Sequence, residues 1–108
     1  MSDHNYNRIL VFTIEGEYQR SIGSKGCNEG ELYLPHGLAY FDGLLYVSDS
    51  GNNRIQVFSK EGEFIRIVGR KGISPGQFSY PRGITIGNGF AYVADSNNHR
   101  IQHFPVHS

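Results

Sequence analysis

Three aspartates, Asp3, Asp49 and Asp95, are each followed five residues later by an arginine: Arg8, Arg54 and Arg100. A carboxylate at that distance can accept backbone amides across a turn, and a guanidinium can pair with it. The spacing from one pair to the next is 46 residues in both cases. A ligand site seldom recurs in every copy of a repeat. The expected role is therefore structural, with Asp holding a turn and Arg pairing with a carboxylate of its own or the neighbouring repeat. The alternative is that these residues line a binding face.

Other reactive side chains are sparse. His103 and His107 are four residues apart, which on a strand places them on one face, and His99 lies in the turn before them. Pro105 falls between them, and no carboxylate or cysteine accompanies them, so a frayed end is expected rather than a metal site. Cys27 is the single cysteine, which rules out an intrachain disulfide. With no histidine beside it in sequence, it lacks the base a nucleophile needs. The run Gly69-Arg70-Lys71-Gly72 does not have the spacing of a phosphate-binding loop. The residues thus point to no catalytic group, no cofactor and no metal, and the chain is expected not to be an enzyme.

The elements that must position these residues are short strands. Hydrophobic residues make up 38% of the 108-residue chain and there are 14 glycines, a balance that suits strands joined by tight turns. Ten basic and ten acidic residues cancel, so no net charge draws the chain to nucleic acid or to a membrane surface. No apolar run approaches the length of a membrane span. The polar start Met1-Ser2-Asp3-His4-Asn5 lacks a signal-peptide pattern, and a reducing, cytoplasmic setting is expected.

Aligning residues 2–47 with 48–93 needs no gap, and 20 of 46 positions are identical. Residues 94–108 begin a third copy. Each copy reads as a strand (Arg8 to Phe12; Arg54 to Phe58), a Glu-Gly-Glu turn and a second strand (Tyr18 to Ile22; Phe64 to Val68). Tyr18, Arg20 and Ile22 alternate onto one face, and a packed ion pair is expected for Arg20 and Arg66. A long glycine-containing loop then leads to Pro-x-Gly and a hairpin at Asp42-Gly43 or Gly87-Asn88-Gly89. Ser-Asp-Ser-Gly-Asn-Asn turns the chain back. Pro105, with no amide donor, is expected to end pairing after Phe104.

A four-stranded antiparallel unit of this size, repeated, is the pattern of a β-propeller blade. Pro-x-Gly, then Tyr-Val-(Ser/Ala)-Asp-Ser-x-Asn-x-Arg-Ile-Gln, then Glu-Gly-Glu-Phe and a closing Gly resemble the NHL repeat. That resemblance implies an all-β propeller fragment over residues 1–108, of the kind found as the C-terminal domain of tripartite-motif proteins. With strands a to d running outward, the chain reads c-d, a-b-c-d, a-b-c. Such a fragment cannot close alone, so a homo-oligomer is expected, with three chains giving six blades. Both chain ends carry a c strand, which leaves one strand in surplus.

The resemblance further implies a top face formed by the Pro-x-Gly slot and the b–c turn. His36, Arg82, Tyr33, Tyr80, Asn53, His99 and Lys71 are the residues expected there. Tyr80-Pro81-Arg82 sets an aromatic ring beside a guanidinium, a pairing that can stack on bases and touch phosphates. The function expected is a binding module for protein or single-stranded RNA. A purely structural repeat that only self-associates is the alternative. An amidating-lyase-like metal enzyme of related fold is the least favoured reading.

Overall fold

The computed structural model describes residues 7–106, together with the backbone of residues 2–3. Strands β1 (Ser2–Asp3), β2 (Arg8–Phe12) and β3 (Tyr18–Ile22) form a first antiparallel sheet, in that order. β4 (Leu38–Phe41), β5 (Leu44–Asp49), β6 (Arg54–Ser59) and β7 (Phe64–Val68) form a central four-stranded meander. β8 (Arg70–Lys71) and β9 (Gln77–Phe78) pair in parallel within the following loop. β10 (Pro81–Gly87), β11 (Phe90–Asp95) and β12 (Arg100–Pro105) complete a last three-stranded sheet. The chain is all-β, with the four-stranded central and three-stranded last sheets that the repeat phase predicts; β1 in the first sheet and the β8–β9 pair are additions to it. No helix among the described residues is long and apolar enough to cross a membrane.

Local chemistry sets each turn. Asp42-Gly43 and Asn88-Gly89 both have positive φ, 51° and 80° in the first and 53° and 83° in the second. That is the backbone of a two-residue hairpin whose twist matches the flanking strands. The polar Ser-Asp-Ser-Gly-Asn-Asn turn is a single 3-10 turn, Ser50–Asn52, closed by Asn53 in the left-handed region. Ser96–Asn98 and His99 repeat it. At the turn after β2 the Thr13 hydroxyl accepts the Glu17 amide at 3.0 Å, and after β6 the Ser59 hydroxyl accepts the Glu63 amide at 3.0 Å.

Three sequence expectations need correction here. β3 does not alternate: its first four residues are all exposed and only Ile22 is buried, and a bulge shifts its register against β2 between Val11 and Phe12. Tyr18 and Arg20 face solvent while Ile22 is buried. Arg20 donates to the Lys60 carbonyl at 3.0 Å and Arg66 to the Tyr46 hydroxyl at 3.4 Å, rather than forming the packed ion pairs expected of them. Nor does Pro105 end the pairing. It stands opposite Phe90, and the Val106 amide donates to the Gly89 carbonyl at 2.9 Å. At the equivalent position the Ser59 amide points away from β5, to Glu63. A proline there costs the β11–β12 ladder nothing.

The core lies between sheets rather than inside one. Ile9 and Ile22 of the first sheet pack with Val47, Phe58 and the loop residue Leu32 against the central sheet. Tyr46, Val57 and Ile55 of the central sheet pack against Ala91, Val93 and Phe78. The sheets approach closely where Gly37 faces β10. A Cβ there would collide with the Arg82 carbonyl oxygen and lie 3.1 Å from the Ile84 side chain. The first glycine of the Pro-x-Gly signature is therefore required by sheet-to-sheet contact. Gly37→Ala is expected to lower stability by about 1–3 kcal/mol, the usual cost of overpacking. A thermal melt against the parent chain measures it.

Candidate functional site

Asp49 closes β5 and is fully buried. One carboxylate oxygen accepts the Tyr33 amide at 2.7 Å. The other accepts from the Asn52 side chain at 3.1 Å, Arg54 Nε at 2.7 Å and Gln56 Nε2 at 3.0 Å. Arg54 then reaches the carbonyls of Cys27, Asn28 and Glu31 at 2.9–3.0 Å. Gln56 also donates to the Glu31 carbonyl and accepts the Gly30 amide at 3.0 Å. These side chains thus hold the whole 26–33 loop to the β5–β6 turn.

The second copy repeats the arrangement. Asp95 accepts the Ser79 amide at 2.7 Å, Asn98 at 2.9 Å, Arg100 at 2.8 Å and Gln102 at 3.2 Å. Arg100 donates to the carbonyls of Ile73, Ser74 and Gln77 at 2.8–3.0 Å. Asp and Arg pair within one repeat, and the Asp reaches the preceding loop as well as its own turn. The Asp3 side chain and His107 lie outside the described residues. Arg8 is half-buried at the start of β2.

The expected top-face residues separate into two groups. His36, Tyr80 and Arg82 come together across the boundary between the central and last sheets. His36 Nε2 and the Tyr80 hydroxyl share a hydrogen bond of 3.0 Å, with the rings edge-on at 5.4 Å. The Arg82 guanidinium, itself exposed, lies 5.2 Å from the centre of the Tyr80 ring. Asn53 belongs to the same junction but serves the backbone, its side-chain oxygen accepting the Tyr80 amide at 2.8 Å. Asn7 does the same for Leu34 at 2.7 Å.

Tyr33, Lys71 and His99 stand apart from this cluster. Tyr33 lies on the turn of the central sheet, where its carbonyl accepts the Gly51 amide at 2.8 Å. Lys71 is exposed on β8, and His99 is exposed after the second 3-10 turn. One exchange between copies could have been read from sequence. A Cβ at Gly51 would collide with the Tyr33 ring. In the other copy Asn97 replaces Gly51, and Ser79 replaces Tyr33. A large loop residue demands a small turn residue, and the reverse.

Burial pushes the Asp95 carboxyl up, but the Ser79 amide, the Asn98 side chain and Arg100 outweigh it and hold its pKa below the usual 3.8. A carboxyl lowered by folding stabilises the fold above its unfolded pKa. That contribution is lost as pH falls through the lowered folded value. Asp95→Asn is therefore expected to flatten the acid limb of a plot of urea midpoint against pH. Arg54→Ala, which leaves Asp49 buried without its cation, is expected to cost about 3 kcal/mol. Urea unfolding at neutral pH measures that loss.

Among curated proteins none matches this sequence. Among solved structures, a Bacteroides thetaiotaomicron protein described as a "Putative phosphatase" superimposes with a TM-score of 0.60 at 15% identity. The match covers 94% of this chain and 31% of that one, so this chain spans about a third of its length. At that identity the likeness is one of fold. Nothing in these matches ties the chain to tripartite-motif proteins in particular. The profile of the family described as "NHL repeat" matches residues 32–58 and 78–104, together half of the chain. Each match begins in the loop that the buried aspartate holds and ends in the strand carrying the paired arginine. The chain belongs to the NHL repeat family.

Proposed function

We propose that this chain is a non-enzymatic binding module, part of an NHL-type propeller, that presents the His36–Tyr80–Arg82 cluster to single-stranded RNA. The observation that carries the reading is the exposed Arg82 guanidinium beside an aromatic ring at the junction of two repeats. A guanidinium there can meet a phosphate or stack on a base, and the neighbouring rings offer a second surface. The polar groups that recur between repeats, Asp49, Asp95, Arg54, Arg100 and Asn53, are spent on the fold, which sets this cluster apart from them. A cytoplasmic, reducing setting goes with a free, exposed Cys27.

The zero net charge favours a second reading, in which the same cluster takes a protein partner. Gel-shift titration with short single-stranded RNAs separates the two. Arg82→Ala is expected to weaken RNA binding roughly tenfold, in line with the loss of one stacking or phosphate contact. Weak binding at low salt that Arg82→Ala leaves unchanged would count against RNA. It would leave the protein partner, or a purely structural repeat, as the function.

A further inference from the structure

Asn88 is the asparagine of this chain that is followed by glycine. Asn88 and Gly89 form the tip of the β10–β11 hairpin, and Gly87 opposite Phe90 closes the ladder below them. Asn88 is exposed, its carboxamide makes no hydrogen bond among the described residues, and the Gly89 amide donates to no other group there. A Cβ built at Gly89 would meet nothing within 4 Å. The other described asparagines are tied down or followed by bulkier residues. Asn52 and Asn98 donate to the buried aspartates and to loop carbonyls, and Asn53 and Asn7 accept the amides of Tyr80 and Leu34. Asn28 precedes Glu29, and Asn97 precedes Asn98. The hairpin tip also lies off the faces on which sheets pack. Asp42, the repeat equivalent of Asn88, is exposed although the central sheet has a sheet packed on each side.

We propose that Asn88 is a site of spontaneous deamidation, through a cyclic imide formed with the Gly89 nitrogen. That nitrogen gives its proton to hydroxide and attacks Cγ of Asn88. The N–Cγ bond forms, the Cγ–Nδ2 bond breaks, and Nδ2 leaves as ammonia with a proton taken from water. A second water then opens the ring. Cleavage of the N–Cγ bond leaves aspartate at position 88. Cleavage of the bond to the main-chain carbonyl carbon leaves isoaspartate, whose backbone runs through the former side chain. Glycine favours the attack because it sets no side chain beside the nitrogen. The turn has to open for the nitrogen to reach Cγ, and a hairpin tip outside the ladder opens at little cost.

The two products have different consequences for the fold. Aspartate is what the first hairpin already holds. Asp42 is left-handed at φ 51°, and Gly43 accepts the Lys60 amide at 3.2 Å as Gly89 accepts the Val106 amide at 2.9 Å. Isoaspartate adds one backbone atom between β10 and β11. That breaks the two-residue turn and moves the Gly89 carbonyl off the Val106 amide.

Peptide mapping by mass spectrometry tests the proposal on the folded chain after incubation at mildly alkaline pH. The peptide holding Asn88 is expected to gain about 1 Da in two chromatographically distinct forms, with the other asparagines reacting at least roughly tenfold more slowly. Asn88→Asp supplies the reference for the aspartate form and is expected to keep the parent melting temperature. The isoaspartate form should melt roughly 5 °C below it, in line with the loss of one hydrogen bond. No gain at Asn88, a gain that occurs only when the chain is unfolded in urea, or an equal rate at the other asparagines would each overturn the site. Aspartate and isoaspartate forms that melt together would overturn the difference assigned to the products.

Discussion

The structure rests on a buried carboxylate at the end of the second strand of the central sheet and of the last sheet. Asp49 and Asp95 are fully enclosed, and each is surrounded by donors: one backbone amide, one asparagine, one arginine and one glutamine. A charge taken out of water is tolerated only when its hydrogen-bonding capacity is met in this way. Each arginine passes the constraint on to carbonyls of a loop 23 to 27 residues earlier in sequence. That loop delivers Leu32 or Phe78 into the core between sheets. The polar clamp and the apolar core are therefore coupled, because one sets the position from which the other is filled.

From this coupling follows the division between structural and available side chains. Asn53 has the composition of a surface binding residue, yet its oxygen is taken by a neighbouring sheet's amide. His36, Tyr80 and Arg82 are adjacent to that bond, with the His36 and Tyr80 side chains hydrogen-bonded to each other and the Arg82 guanidinium over the Tyr80 ring. The position of Tyr80 is itself a product of the junction. Its backbone is left-handed at φ 56°, a conformation unusual for a bulky residue, and the Asn53 bond to its amide helps to hold it there.

The same positions have different surroundings along the chain. Ile9, Ile55 and Ile101 are one residue of the repeat, and the first two are buried while the third is exposed. Nothing in the local sequence distinguishes them. What differs is whether another sheet lies against the face. Burial in a repeat protein is a nearest-neighbour property, and the end units show it most plainly.

By itself the sequence determined the repeat length, the strands of the antiparallel sheets, the hairpins at Asp42-Gly43 and Asn88-Gly89, and a structural role for the recurring aspartates and arginines, while leaving open whether each arginine pairs within its own repeat or with the next. These follow from local backbone preference and from identity between copies. Their signal lies within a few residues or recurs at a fixed interval. It did not reveal that Gly37 is needed for contact between sheets, that Asn53 is a latch, or that Arg20 and Arg66 bond to a carbonyl and a hydroxyl. Nor did it separate His36, Tyr80 and Arg82 from Tyr33, Lys71 and His99. Those outcomes depend on how one sheet is set against the next. That arrangement is fixed by packing between residues far apart in the chain, and only the tertiary structure decided it.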